Sequence, residues 1–223
     1  MVTKIKEHLT RQSDLIPEKV LTVPVTIIGA GATGSWTALL LTKMGMSNIN
    51  IFDFDDVEVE NMCSQFYKPS DISNAKVNSL KTNILNFTGV EINSINEKFE
   101  NFPENTKIVI SAVDNMASRA MIWTKCKEDK IPFFIDPRMA IETCLVYAMK
   151  PTLAKDINAY EKTLYSDLDA VPERCTAKST VYTANLIAGQ VCKIVKDFIT
   201  GNSYTRVLNW DIKTNSMQAF SSN

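Results

Sequence analysis

The chain has 223 residues, with 24 lysines and arginines against 25 aspartates and glutamates, so its formal net charge is −1. A near-neutral chain does not attract nucleic acid or anionic membrane by charge alone, because such binding needs concentrated positive charge. The single histidine, His8, and five cysteines without a Cys-x-x-Cys pair argue against a Ser-His-Asp triad, a histidine-rich metal site and a zinc ribbon.

The predicted elements alternate between strand and helix along the chain. Residues 1–20 favour short helical pieces, and residues 151–178 have little periodicity and predict a long loop. Strands are predicted at 23–28, 49–52, 107–111, 131–135 and 144–149, and helices at 33–43, 70–86, 116–127 and 179–198. Residues 204–210 and 217–220 predict a closing hairpin. This pattern indicates an α/β fold: a Rossmann-like, mainly parallel sheet covered by helices on both faces, with a C-terminal β-hairpin.

Cysteine usage and hydropathy bear on the compartment. The five cysteines lie at least seventeen residues apart, and scattered, unpaired thiols are typical of a reducing environment. No stretch approaches 18 consecutive apolar residues, so the sequence predicts no membrane span and no membrane partner. We therefore expect a cytoplasmic location.

A glycine-rich turn follows the first predicted strand and precedes the first predicted helix. Gly29, Gly31 and Gly34 occupy the three positions of a Gly-x-Gly-x-x-Gly pattern. Glycines allow the backbone to approach a phosphate, and a helix N-terminus offers unpaired N–H groups. Asp53 follows at the end of the second strand, where a carboxylate can accept hydrogen bonds from ribose hydroxyls. At this point a dehydrogenase and an adenylating enzyme fit equally well.

The next polar residues favour a nucleoside triphosphate over a dinucleotide. Asp55, Asn61 and Gln65 follow the second strand, and Lys76 lies near the start of the next predicted helix. An amide and a lysine can hold a polyphosphate, and Asp114, after the strand at 107–111, can hold magnesium. A nicotinamide- or flavin-dependent oxidoreductase remains an alternative, but it leaves Asn61, Lys76 and Asp114 without a role.

These motifs, in this order and spacing, resemble the ThiF/MoeB family, the bacterial relatives of ubiquitin-activating enzymes. The resemblance runs from Arg11 to Met149 through the glycine loop, Asp-Phe-Asp-x-Val-Glu-x-x-Asn from Asp53, and Asp-Asn-x-x-x-Arg from Asp114. It implies ATP- and Mg²⁺-dependent adenylation of the C-terminal carboxylate of a ubiquitin-like or sulfur-carrier protein ending in glycine, with release of pyrophosphate. A peptide or a tRNA remains open as the acceptor, and no other nucleic-acid partner is expected.

The resemblance also assigns roles to individual residues. It gives Asp53 to the ATP ribose, and Asp114 to magnesium and catalysis. The phosphate contacts that it implies fall to three residues, Asn61, Gln65 and Lys76. Gly29, Gly31, Gly34 and Asp55 complete the expected nucleotide site.

Two further assignments concern the ends of the chain. Arg11, followed by Gln12, resembles an Arg-Gln pair that reaches into the partner subunit's site, which implies a homodimer and a helical arm over residues 1–20. Residues 21–223 would then form one ATP-binding adenylation domain with a crossover loop at about 151–178.

Cys175 in that loop is a candidate for thioester or sulfur transfer, since neighbouring cations and a helix start would lower the pKa of its thiol.

One position departs from the family pattern. The family reads Asn-x-x-Arg-Gln, whereas Asn61 and Gln65 here enclose Ser64 in place of the arginine. Loss of a phosphate-clamping arginine costs about three orders of magnitude in rate by analogy with arginine fingers. Arg138 is the candidate cation to fill this role. Without such compensation, a non-catalytic nucleotide-binding scaffold is the alternative.

Overall fold

A computed structural model describes residues 9–165 and 179–222, which form an eight-stranded sheet with five α-helices. The strands are β1 (Val25–Ile28), β2 (Ile49–Phe52), β3 (Asn93–Ile95), β4 (Ile108–Ser111), β5 (Phe133–Ala140), β6 (Thr143–Met149), β7 (Thr205–Asp211) and β8 (Ser216–Ser221). The helices are α1 (Ala32–Lys43), α2 (Lys76–Thr88), α3 (Met116–Glu128), α4 (Ala154–Glu161) and α5 (Val181–Ile199). Short 3-10 turns lie at Thr10–Gln12, Glu18–Val20, Val59–Cys63 and Pro69–Asp71.

The sheet has a parallel half and an antiparallel half. Its strand order is β3-β2-β1-β4-β5-β6-β7-β8. The first five strands in that order pair in parallel, and the last three continue the sheet in antiparallel pairing. The predicted α/β fold, its parallel sheet and its C-terminal hairpin, formed by β7 and β8, are thus confirmed.

Alternate residues of the central strands pack into two separate cores. Ile27 of β1 belongs to the core under α1, α2 and α5, whereas its neighbour Ile28 belongs to the core under α3 and α4. The same alternation separates Ile110 from Val109 in β4. Because both faces of these strands are covered, β1 and β4 consist of buried residues throughout, as expected for a parallel strand between helix layers.

The strand order places a switch point at β1. From β1 the chain proceeds outward to β2 and β3, and then returns to the other side of β1 to form β4 and β5. The loops after β1 and β4 therefore leave the sheet side by side at its carboxyl edge. Ligands of open α/β sheets bind in this position.

Several elements differ from the sequence-based expectation. The helix predicted at 70–86 begins only at Lys76, after the 3-10 turn Pro69–Asp71, and the strand predicted at 131–135 extends to Ala140. Residues 151–178 were expected to form a loop, but α4 occupies Ala154–Glu161. The buried residues of α4 are Asp156 and Tyr160, so its inward face lacks the apolar pattern that predicts a helix. Strand β3 was not predicted, since this edge strand of three residues is mostly polar.

None of the helices in the described ranges, 9–165 and 179–222, is both long and apolar enough to cross a bilayer.

Candidate nucleotide site

The glycine loop connects β1 to α1 through three glycines with different surroundings. A Cβ on Gly29, which has a φ of +100°, would lie 2.4 Å from the Ala112 carbonyl oxygen, and one on Gly34 would lie 1.9 Å from the Gly29 carbonyl oxygen. A Cβ on Gly31 would meet no heavy atom within 4 Å. Gly29 and Gly34 are thus required for close backbone packing, whereas Gly31 leaves open space above the start of α1.

The carboxylate of Asp53 holds the glycine loop in place. Its Oδ2 accepts a hydrogen bond from the Ala30 N–H at 2.6 Å, and its Oδ1 accepts one from the Asp55 N–H at 2.9 Å. A carboxylate has about four lone-pair positions, so two remain for other donors. This geometry is compatible with the predicted contact between Asp53 and ribose hydroxyls, which stays a prediction.

Lys76 and Asp55 form an ion pair beside this loop. The Lys76 Nζ lies 2.9 Å from the Asp55 Oδ2, and the backbone N–H of Lys76 donates to the Asp55 carbonyl oxygen, also at 2.9 Å. The lysine side chain is only 11% exposed, whereas that of Asp55 is 52% exposed. The lysine is thereby held at the N-terminus of α2, and a phosphate would compete with Asp55 for its ammonium group.

The segment after β2 carries the amide residues of the predicted site. Asn61 lies in the 3-10 turn Val59–Cys63, where its Oδ1 accepts from the Glu58 N–H at 2.9 Å. The Oε1 of Gln65 is buried without a hydrogen-bond partner. The amide oxygen of Asn61 is therefore used within the protein, whereas that of Gln65 can still accept a hydrogen bond.

Ser64, at the position of the family arginine, is a packed residue. It is 2% exposed, and its Oγ accepts from the Ser179 Oγ at 2.8 Å. Its carbonyl oxygen accepts from the Trp36 indole N–H, also at 2.8 Å. The serine thus joins the start of the α5 region to the segment after β2, and it places no positive charge there.

Asp114 follows β4 on the neighbouring loop. The Ala112 N–H donates to the Ile28 carbonyl oxygen at 2.8 Å, so the β4 loop begins beside the glycine loop. Asp114 is exposed and accepts a hydrogen bond from the Asn115 Nδ2 at 3.2 Å, while Asn115 caps α3 through the Ser118 N–H at 2.8 Å. The described residues include no group of three or more metal-binding side chains. Mg²⁺ is commonly bound by one or two carboxylates together with substrate phosphates, so the single carboxylate of Asp114 is compatible with a magnesium site of this kind.

Arg138 belongs to a second group of side chains at the carboxyl edge, the Asp136 cluster, formed by Arg119, Asp136, Arg138 and Tyr160. The fully buried carboxylate of Asp136 accepts from the Arg119 Nη1 at 2.9 Å, the Arg138 Nε at 2.7 Å and the Tyr160 hydroxyl at 2.8 Å. Burial raises the pKa of Tyr160, and Asp136 raises it further, so the phenol stays a donor.

The remaining nitrogens of Arg138 also have partners. Its Nη1 donates to the Thr163 carbonyl oxygen at 2.9 Å, and its Nη2 donates to the Thr163 Oγ1 at 3.0 Å. The guanidinium group lies 4.7 Å from the ring centroid of Tyr147. Its proposed contact with phosphates stays a prediction, and it would require this arginine to leave partners that occupy all three of its nitrogens.

The described part of the N-terminal arm packs on its own chain. Arg11 is exposed in its 3-10 turn, while Gln12 donates to the Met44 carbonyl oxygen and Ile16 is buried in the core. The prediction that Arg11 reaches a partner subunit is not tested by these contacts. Cys175 and His8 lie outside the described residues.

Tyr67 is a residue of this site that the sequence analysis did not single out. Its hydroxyl donates to the Ala30 carbonyl oxygen at 2.7 Å, on the glycine loop. It lies two residues after Gln65, but nothing in that spacing indicates where its side chain goes, because the contact spans 37 positions in sequence.

Both the sequence and the structure of this chain are similar to those of known proteins. A model of the ThiF family matches residues 8–223. Curated relatives include "Ubiquitin-like modifier-activating enzyme 5" of Gallus gallus, 32% identical over 129 residues that cover 50% of this chain and 32% of that protein. The protein of the same name from Aedes aegypti is 32% identical over 137 residues, covering 52% of this chain and 34% of the relative. The chain thus spans about a third of the length of these relatives.

Solved structures share the fold over almost the whole chain. That of selenomethionine PaaA has a TM-score of 0.78 at 20% identity and covers 96% of this chain and 72% of its own. E. coli MccB with ATP has a TM-score of 0.77 at 15% identity, covering 96% and 70%. MccB, the microcin C7 biosynthetic enzyme, in complex with N-formylated MccA has a TM-score of 0.79 at 15% identity, covering 95% and 68%. At these identities the likeness concerns the fold.

Proposed function

The chain belongs to the ThiF family, and we propose that it uses ATP and Mg²⁺ to adenylate a carboxylate of a partner molecule. The observation that carries this proposal is the arrangement at the switch point of the sheet. There the glycine loop, with its open position at Gly31, is hydrogen-bonded to the carboxylate of Asp53. Lys76 pairs with Asp55, two residues after Asp53, and the loop that carries Asp114 begins beside the glycine loop.

The acceptor that we propose is the C-terminal carboxylate of a ubiquitin-like or sulfur-carrier protein ending in glycine. The names of the curated relatives support a ubiquitin-like partner. MccB, a fold neighbour, has been solved with ATP and with N-formylated MccA, which supports a site for a nucleotide beside a second molecule.

Each residue of the site has a separate role in the proposed reaction. Lys76 and the Gly31 N–H would bind the negative phosphates, and Asp53 would hold the ribose. Asp114 would hold Mg²⁺ together with the phosphates; when bound, the ion neutralises part of their charge. An acceptor carboxylate oxygen then forms a bond to the α-phosphorus as the bond to the bridging oxygen breaks, and its electron pair leaves with pyrophosphate. Positioning and charge stabilisation suffice for this step.

Other predicted roles complete the proposal. Asn61 and Gln65 would contact the phosphates through their amide NH₂ groups, because a phosphate oxygen accepts hydrogen bonds and the amide oxygens cannot donate them. Arg138 would contribute charge only after leaving Thr163. Arg11 would act in the partner subunit of a homodimer, and the protein would work in the cytoplasm.

A second step at Cys175 is proposed separately. In this step the Cys175 thiolate attacks the acyl-adenylate, a thioester forms and AMP leaves. Its support is that Ser179, the first described residue after the segment containing Cys175, contacts Ser64. The test is to trap a carrier adduct that an added thiol cleaves by thioester exchange, with Cys63→Ala as the control because that thiol is exposed. Undiminished adduct in Cys175→Ala would exclude the step.

The first experiment compares nucleotides by thermal shift. ATP with Mg²⁺ should raise the melting temperature of the wild type, since a ligand that binds the native state stabilises it, and NAD should not. The Lys76→Ala variant should lose most of this shift. Lys81→Ala is the matched control, because Lys81 lies on the same helix and pairs with Glu91 at 2.8 Å instead. A shift with NAD alone would favour the oxidoreductase.

The second experiment measures exchange of labelled pyrophosphate into ATP. We expect exchange that depends on a small protein ending in Gly-Gly, encoded near this chain's gene. A non-catalytic scaffold is the second candidate, favoured by the uncharged, packed Ser64. ATP-induced stabilisation without exchange for any candidate carrier would favour the scaffold over the enzyme.

A further inference from the structure

We propose that Tyr67 is a positioning residue that aims the backbone N–H of Gly31 at the nucleotide phosphates. This inference rests on the proposed function, because it assigns the N–H a phosphate acceptor. It concerns a residue outside the motifs that identify the family in this sequence.

The two groups of Ala30 are held by two different side chains. The Asp53 Oδ2 accepts from the Ala30 N–H at 2.6 Å, while the Tyr67 hydroxyl donates to the Ala30 carbonyl oxygen at 2.7 Å. No cis peptide occurs among the described residues. In a trans peptide the carbonyl oxygen and the following N–H point in opposite directions. The bond from Tyr67 therefore turns the Gly31 N–H away from the phenol.

The Gly31 N–H is available on that other side. It donates to no acceptor within the ranges that the structure describes. A Cβ on this glycine would also meet no heavy atom within 4 Å. An N–H beside an open space at the start of a helix is a donor for an anion.

The hydrogen bond from Tyr67 opposes rotation of the Ala30–Gly31 peptide. A peptide bond next to glycine can rotate at small steric cost, because no Cβ obstructs it. If the Ala30–Gly31 peptide rotated by half a turn, it would present a carbonyl oxygen instead of an N–H to the phosphates. Burial raises the pKa of the Tyr67 phenol, and the nearby charges of Asp53 and Asp71 raise it further, so Tyr67 keeps the proton that it donates.

The test compares Tyr67→Phe with the wild type by calorimetric titration of Mg²⁺–ATP and, separately, of adenosine. The substitution keeps the ring and removes only the hydroxyl. We expect the Kd for ATP to rise about tenfold, as for loss of one hydrogen bond to a charged group, and the Kd for adenosine to stay within twofold. Tyr182→Phe is the matched control, because that exposed hydroxyl bonds Glu142 at 2.7 Å and should leave both values unchanged.

Each other outcome would overturn the proposal. Unchanged ATP affinity in Tyr67→Phe would show that the hydroxyl does not direct the N–H. An equal loss of ATP and adenosine binding would indicate a general loosening of the site. A melting temperature more than about 5 °C below that of the wild type would lead to the same conclusion, since a shift of that size indicates a loss of stability of the whole fold. Failure of the wild type to bind ATP would instead refute the proposed function, and this inference with it.

Discussion

Two groups of charged side chains lie at the carboxyl edge of the same sheet, and they differ in how far their bonding is satisfied. In the glycine-loop cluster, formed by Gly29–Gly34, Asp53, Asp55 and Lys76, the Gly31 N–H has no acceptor among the described residues, and Asp55 is half exposed. In the Asp136 cluster the central carboxylate is fully buried and receives three donors. The comparison teaches that the first group retains capacity for a ligand, whereas the second stabilises the fold.

The largest effect should come from the Asp136 cluster. Asp136→Asn leaves the buried guanidinium groups of Arg119 and Arg138 without their counter-charge, so we expect a loss of about 3–5 kcal/mol in the free energy of unfolding. Urea denaturation measures it. Asp129→Asn is the control, because Asp129 forms a surface pair with Lys125 at 3.4 Å, and its loss should cost about 0.5 kcal/mol or less. A loss below about 1 kcal/mol for Asp136→Asn would remove the distinction between the clusters.

Substitutions at two glycines of the loop should affect different properties, mainly stability at Gly34 and mainly ATP binding at Gly31. Gly34→Ala forces a Cβ to within 1.9 Å of the Gly29 carbonyl oxygen, and we expect a loss of about 1–3 kcal/mol in stability. Gly31→Ala adds a Cβ in open space and should cost less than about 1 kcal/mol, while it weakens ATP binding. Denaturation and nucleotide titration of both variants test this pair. Equal stability losses would contradict the assignment of Gly31 to the ligand.

Asp114 should affect binding without affecting the fold. Because its carboxylate is exposed, Asp114→Asn should leave the free energy of unfolding unchanged. We expect it to lower the affinity for Mg²⁺–ATP about tenfold, as for loss of a charged ligand. Removal of Mg²⁺ with EDTA should weaken ATP binding in the wild type and have little further effect in the variant. Equal sensitivity of both proteins to EDTA would show that the ion is held elsewhere.

The smallest effect concerns Ser64. Ser64→Ala removes the hydroxyl that accepts from Ser179, and we expect a loss of about 1 kcal/mol in the free energy of unfolding. Cys63→Ser, at the exposed neighbouring position, should leave stability unchanged within about 0.5 kcal/mol. Thermal denaturation of the two variants distinguishes them. A neutral Ser64→Ala would mean that the contact between these serines contributes nothing to the stability of the fold.

The parts of the fold that were predictable carry local signals. Strand β1 is a run of buried residues and α1 follows a glycine turn, so both can be recognised from adjacent positions. Helix α4 could not be, because its buried positions include Asp156, whose Oδ2 accepts from the Lys150 N–H. A charged residue in an inward position becomes intelligible only when its tertiary partners are known.

The same division holds for the site. Asp53 and Lys76 stand in motifs with fixed spacing, so the sequence could identify them as candidates. Tyr67 and Ser179 contact residues 37 and 115 positions away, and no local pattern specifies such pairs. The hydrogen bond from Arg138 to Thr163 could not be predicted either, because it depends on where α4 ends.

The contact between Ser64 and Ser179 also has a consequence for how the protein matures. The glycine loop leaves the ribosome well before the residues that begin α5, and α5 provides part of the core that covers β1. Closing a contact over such a separation is entropically slow compared with forming the local turn. The nascent chain therefore completes the surroundings of its glycine loop only after α5 has been synthesised, later than the local turn itself can form.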